Sequence, residues 1–167
     1  VPIAGPPKEE VTHFSTTPSR IAVLGQDFVG MKPTMKVKVG DQVKMGDVLF
    51  SDKKIEGVVY TSPASGEVLE INRGAKRVFQ SIVISNESDG TLSFSSETTK
   101  DLLLESGEWT AIKTRPYDKV ADPRENIENL FITAIDTNPL AASVKTILNA
   151  DNNRELFRSG LKALRNI

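Results

Sequence analysis

The sequence predicts an α+β chain, in which a compact β unit of short strands precedes the opening strand and helices of an α/β unit. Two changes of pattern carry this. From Arg20 to about Ser95, short apolar runs are broken repeatedly by glycine, whereas beyond residue 96 the apolar residues recur at helical spacing. Near the end, Asn129–Ile135 is an almost unbroken apolar run followed by Asp136-Thr137-Asn138-Pro139, as at a strand-to-helix turn of a parallel sheet.

The elements follow in order. Residues 1–19 hold four of the nine prolines, Pro2, Pro6, Pro7 and Pro18, together with several threonines, so they read as an extended arm. Residues 20–95 form the β unit, with strands expected over Ile21–Leu24, Met35–Val39, Val48–Phe50, Val58–Thr61, Val68–Ile71 and Val78–Ile84. Met35, Val37 and Val39 alternate with Lys36 and Lys38, which puts the lysines on the wet face. Residues 96–127 read as short helices and a linker. A helix around Asp101–Glu105 should stop at Ser106-Gly107, another turn can follow over Glu108–Thr114, and Pro116 and Pro123 disfavour helix before them. Residues 128–167 supply the Asn129–Ile135 strand, a helix over Leu140–Leu148 capped by Asp136–Pro139, and a helix from Asp151 with Leu156, Phe157, Leu161 and Leu164 on one face. One parallel strand has no ladder partner and too little chain to cover it, so this second unit reads as truncated. A start at Val1 points the same way, to a piece of a longer protein.

Composition narrows the function. Twenty-one basic and 22 acidic residues leave a net charge of -1, so no general field favours nucleic acid or an anionic membrane. Without cysteine there is no disulfide, thiolate metal site, iron–sulfur ligation or cysteine nucleophile. The one histidine, His13, has no second histidine for a metal site or triad and reads as a surface residue. No apolar run approaches the roughly 18 residues of a membrane span, and no signal peptide is expected. Catalytic, cofactor-binding and metal-ligating residues are therefore not assigned.

The strongest motif is Val39-Gly40-Asp41-Gln42-Val43-Lys44-Met45-Gly46-Asp47-Val48-Leu49-Phe50, followed by Ser62-Pro63-Ala64-Ser65-Gly66-Glu67-Val68. Its glycines allow tight turns, Val43 and Leu49 point inward, and Pro63 and Gly66 lead into the next strand. This resembles the biotinyl and lipoyl carrier domains, so a barrel-sandwich hybrid is expected for residues 20–95. In carriers a modified lysine precedes the proline of the following turn by eight residues. Lys53 and Lys54 lie ten and nine residues before Pro63, and Met-Lys-Met is missing, so solvated lysines are the ordinary reading.

Reading outward, Pro2–Gly5, Val23–Met35, Asp52–Lys54, Ser62–Gly66, Ile71–Arg77, Gly107–Ala111, Thr114–Pro116 and Thr133–Ala141 resemble, in order, the signatures of the A subunit of the sodium-translocating NADH:quinone oxidoreductases. The resemblance covers nearly the whole chain. It implies an amino-terminal piece, namely the barrel-sandwich and the start of a Rossmann-like domain, similar in architecture to the flavin subunit of respiratory NADH dehydrogenase. It further implies a peripheral subunit on the cytoplasmic side of the bacterial inner membrane. The complex would oxidise NADH, reduce ubiquinone and export sodium ions. The implied partners are the other subunits, with ubiquinone a further one, and those subunits would carry the flavins and the iron–sulfur centre while this piece holds no cofactor. The residues are compatible with that last point: Asp136-Thr137-Asn138-Pro139 has no glycine to admit a pyrophosphate, its proline lacks a donor, and Asp136 would repel phosphate.

Six residues stand out as a candidate interface. Arg73, Lys76 and Arg77 surround Gly74 in a basic turn suited to an acidic partner or a phosphate, or simply to water. Trp109, Arg115 and Tyr117 lie near the expected domain boundary as a partner anchor or as packing within the same polypeptide. Asp136 and Asn138 sit where α/β sheets place ligands, although capping explains them more simply. Two functions compete with a structural and assembly role: an acyl or biotinyl carrier, and a free-standing nucleotide-binding enzyme.

Overall fold

A computed structural model describes Gly5 and residues 8–12, 17–87, 89–134, 136–138 and 140–167. By its contacts the chain divides into a larger unit, residues 17–126, and a second made of residues 1–16 and 127–167. His13 lies outside the described residues.

The larger unit is built on two antiparallel sheets. One has the order β1 (Arg20–Leu24), β7 (Phe79–Ser85), β6 (Gly66–Arg73) and β3 (Gln42–Val43), and the other is β2 (Pro33–Met35), β4 (Val48–Asp52) and β5 (Val59–Thr61). The alternating apolar residues of these strands meet as a core of Leu49, Phe50, Val58, Tyr60, Val68, Ile82 and Ile84, each no more than 2% exposed. Removing such side chains from water contributes about 1.5–3 kcal/mol each, which is what holds strands this short together. Aromatic rings extend the core, with Tyr60 stacked on Phe50 at 4.6 Å and edge-on to Phe28 at 4.6 Å.

The turns obey the glycine pattern. Gly40 and Gly46 take φ of 93° and 97°, and the next residue in each case, Asp41 or Asp47, accepts a bond from the backbone N–H three residues earlier. At Gly66 the constraint is space: a Cβ there would lie 2.2 Å from the Ser85 carbonyl oxygen. Val43 and Leu49 are buried as expected. The Met35–Val39 strand is displaced, because β2 covers Pro33–Met35 and Val39 is 56% exposed. After Lys36, whose N–H still reaches the Leu49 carbonyl, the chain turns towards Gly40 and leaves the β4 ladder.

Helix α1 (Thr99–Ser106) follows. Thr98 caps it by accepting from the Asp101 N–H, and Gly107 at φ 81° ends it where the sequence places the stop. The Thr61 hydroxyl donates to the Ser106 carbonyl and ties the helix end to β5. A 3-10 turn, Glu108–Ala111, then buries Trp109, and the chain folds back so that Ala121 accepts the indole N–H at 2.8 Å. Residues 96–126 are thus packed into the larger unit, with Val120 and Ala121 also buried.

In the second unit, residues 129–134 form no strand, contrary to the sequence expectation, and Phe131 is 87% exposed. An extended segment without a neighbouring strand leaves its peptide groups to water, and this unit has no strand among its described residues. The expected Leu140–Leu148 helix begins only at Val144, as α2 (Val144–Asn149). Leu140, at φ 63°, interrupts it, and Asp136 bonds locally to the Asn138 N–H at 2.9 Å instead of capping a helix. Helix α3 (Asn153–Leu164) starts two residues after Asp151 and keeps its apolar stripe, with Leu156 63% exposed.

Candidate functional site

The basic turn becomes one wall of a groove. Strands β6 and β7 pair with a register shift between Asn72 and Arg73, and such a bulge turns the following side chains away from the regular alternation. The tip beyond it closes through the Gly74 N–H on the Val78 carbonyl, 2.8 Å, with Lys76 and Arg77 at φ 54° and 60°. Arg73, Lys76 and Arg77 are all exposed.

The opposite wall is the loop from Gly25 to Pro33. It lies so close to β7 that a Cβ on Gly25 would be 2.5 Å from the Phe79 carbonyl oxygen, which only glycine allows. Phe28 anchors it against Tyr60. The β4–β5 connection holds it from the other side: Lys53 N–H donates to the Lys32 carbonyl at 2.8 Å, the Lys54 amine to the Gly30 carbonyl at 2.5 Å, and Asp52 accepts from the Lys32 and Lys54 N–H groups. Between the walls is an open groove of about 490 Å³, lined by Lys32, Arg73, Lys76 and Arg77 and by the apolar Phe28, Val29, Met31 and Val78. Val29 and Val78 are 47% and 62% exposed. None of the four cations has a carboxylate within salt-bridge distance among the described residues.

The other candidate residues are placed differently. Trp109 is 1% exposed and packs inside the larger unit, with the Lys100 amine 5.7 Å from its ring centre. Arg115 and Tyr117 are exposed on a turn closed by the Thr114 N–H on the Lys119 carbonyl, 2.7 Å, and Tyr117 is 71% exposed. This turn approaches the outer side of the Gly25–Pro33 loop, since the Lys113 amine donates to the Asp27 carbonyl at 3.3 Å. Asp136 and Asn138 bond to each other, through the Asp136 carboxylate and the Asn138 N–H and amide. The amine of Lys54 is bonded back to Gly30 and does not project as a carrier arm would.

Lys32, Val29 and Val78 are not among the interface residues that the sequence suggests. Their signal is weak: two glycines bracket the loop, but nothing local says that it faces a hairpin more than forty residues away. A second groove, also of about 490 Å³, lies between Met45-Gly46, Tyr60–Pro63, Thr91–Phe94 and the end of α1, with Glu108 its one charged lining residue. Tyr60 lines it, and its buried hydroxyl has no hydrogen-bond partner among the described residues. Burial first, and the nearby Asp52 carboxylate second, push the Tyr60 phenol well above its ordinary value.

The comparisons bear on the whole chain. The family model described as the NqrA N-terminal barrel-sandwich hybrid domain matches residues 1–87, and that described as the NqrA second alpha/beta domain matches residues 94–167. Among similar proteins are the A subunits of the Na(+)-translocating NADH-quinone reductases of Vibrio anguillarum and Psychromonas ingrahamii, each 47% identical over 98% of this chain. The corresponding protein of Marinomonas sp. is 48% identical over the same share. The chain spans 39% of the length of these relatives. A barrel-sandwich hybrid followed by an α/β domain, matched end to end at this identity, is decisive: the chain belongs to the family of the A subunit of the Na(+)-translocating NADH-quinone reductase.

Proposed function

We propose that this chain contributes two modules of a peripheral subunit to the respiratory complex that oxidises NADH, reduces ubiquinone and exports sodium ions, and that its own role is structural, in assembly. Family membership supports the complex, and the basic groove, whose cations have no carboxylate partner among the described residues, supports the role. Attachment through other subunits, on the cytoplasmic side, is part of this proposal; among the described residues no helix is long and apolar enough to cross a membrane. The chemistry is assigned elsewhere: NADH, the flavins and the iron–sulfur centre belong to other subunits, and this chain holds no cofactor. A contribution of the assembled protein to quinone binding is included, without a residue of this chain assigned to it.

What the larger unit, residues 17–126, does on this reading is present docking surfaces. The two sheets fix the hairpin tip and the Gly25–Pro33 loop by backbone bonds, so the backbone that carries their exposed cations is set before a partner arrives. The test is a strain in which the gene for this protein is deleted, complemented either with the whole gene or with one lacking this stretch. Native gels should show the assembled complex, and membranes ubiquinone-dependent NADH oxidation with sodium export, only with the whole gene. Unchanged assembly and activity without the stretch would remove the proposal.

A further inference from the structure

The chain as a whole is nearly neutral, yet its cations are gathered unevenly. Lys32, Arg73, Lys76 and Arg77 line one groove, and the Lys54 amine and the Lys119 side chain lie against Gly30 on the loop that forms its wall. Asp27 is the one acid within that loop, and its backbone carbonyl is bonded to Lys113. With a formal charge of -1 overall, such a concentration makes a local positive field, which Asp27 and the Asp52 carboxylate bonded to the Lys32 and Lys54 N–H groups offset only in part.

Its shape narrows the occupant. A single phosphate could meet two or three of the cations, but it would leave Val29 and Val78 exposed in a groove of about 490 Å³. A lipid surface meets convex faces, whereas these cations line the inside of a cleft. Single-stranded nucleic acid binds by stacking on exposed aromatic faces. Here Phe28 is packed against Tyr60 and Phe79 is buried. What uses both the charges and the apolar walls is a peptide in which acidic residues are interleaved with aliphatic ones.

We propose that this groove docks an acidic, aliphatic-containing peptide segment of a partner subunit, its carboxylates on Lys32, Arg73, Lys76 and Arg77 and its aliphatic side chains against Val29 and Val78. The inference rests on the assembly role proposed above and adds the chemistry of the partner. Arg73 and Arg77 can each receive a carboxylate through two parallel N–H bonds, and Lys32 and Lys76 act as point charges. Binding of this kind gains its rate and selectivity from charge and is weakened by salt.

The probe is a fluorescein-labelled octapeptide of alternating glutamate and leucine, titrated by anisotropy with the 167-residue chain in 50 mM and 500 mM salt. Its partner experiment is incorporation of the full-length protein into the complex. Three proteins are compared: wild type; R73Q/K76Q/R77Q, whose altered side chains are exposed; and K145Q/K162Q/R165Q, with the same charge change elsewhere. The docking reading expects saturable binding to wild type and to the second variant, at least tenfold weaker binding to the groove variant or in high salt, and impaired incorporation of the groove variant alone. A glutamine-for-glutamate peptide binding as tightly as the acidic one would overturn it. So would equal binding by the groove variant. Loss of binding to phosphatidylglycerol vesicles in the groove variant, with no peptide binding by wild type, would place a membrane there instead. If wild type incorporates and the groove variant does so equally well, the docking inference fails while the assembly role stands. If wild type itself does not incorporate, the assembly role fails first.

Discussion

Tyr60→Phe should make the protein more stable. The Tyr60 ring is 2% exposed, stacked on Phe50 and edge-on to Phe28, and a phenylalanine would keep all of that packing. Only the oxygen is lost, and it is buried without a hydrogen-bond partner among the described residues. Leaving a buried polar group unbonded costs roughly 1–3 kcal/mol, while deleting one hydroxyl from a packed site forfeits a fraction of that in contacts. The net expectation is a gain of about 1 kcal/mol, or roughly 4 °C in Tm for a unit of this size. Urea unfolding of the 167-residue chain, followed by Trp109 fluorescence, reads the unit directly, because Trp109 is the sole tryptophan and is buried in it.

The same residue gives the experiment a second axis. The folded phenol holds its proton well above the ordinary value, while the unfolded one releases it near pH ~10. Its contribution is therefore fully present below pH ~10 and declines as pH rises, by up to about 1.4 kcal/mol per unit. Above pH ~10 the advantage of Tyr60→Phe over wild type should widen. A Tyr117→Phe background leaves Tyr60 as the only tyrosine for absorbance titration. A loss of 1 kcal/mol or more on Tyr60→Phe at neutral pH, with no alkaline divergence, would mean that the hydroxyl is bonded, and would refute the reasoning.

Further outcomes are expected elsewhere. Trp109→Ala should cost about 3–5 kcal/mol, since it empties a fully buried site and strands the Ala121 carbonyl, as a urea midpoint would show. Gly66→Ala should destabilise by about 3 kcal/mol, because its Cβ would press on the Ser85 backbone. Gly160→Ala, in α3 with nothing within 4 Å of its added methyl, should raise helicity by circular dichroism and add about 1 kcal/mol of helix stability. Hydrogen bonds from Arg124 hold the Asp122 carboxyl at about 2. Its folded value is depressed, so its small stabilising contribution is present above pH ~4 and lost towards pH 2. Asp122→Asn should flatten that acid limb of an unfolding titration.

Local signals were the ones that read correctly. The Gly40 and Gly46 turns, the inward Val43 and Leu49, the stop of α1 at Gly107 and the exposed Lys36 and Lys38 all follow from backbone freedom or side-chain period within a few residues. The strand over residues 129–134 misled for the opposite reason. Its apolar run is a necessary condition for a buried strand, but a strand also needs a neighbour to bond, and sequence period carries no information about that. The helix after Asp136 failed at Leu140, where a left-handed backbone outweighed a capping pattern.

By itself, then, the sequence determined a glycine-punctuated β unit followed by helices, excluded cysteine chemistry and exposed the basic turn at Arg73–Arg77. Only the tertiary structure decided that this turn faces Lys32 and Val29 across a groove, that Trp109 serves packing within the unit, and that Lys54 is tied to Gly30. The physical reason is range: turns and caps are fixed by torsions a few residues apart, whereas a groove depends on strand register, on the bulge after Asn72 and on the close seat that Gly25 allows against Phe79.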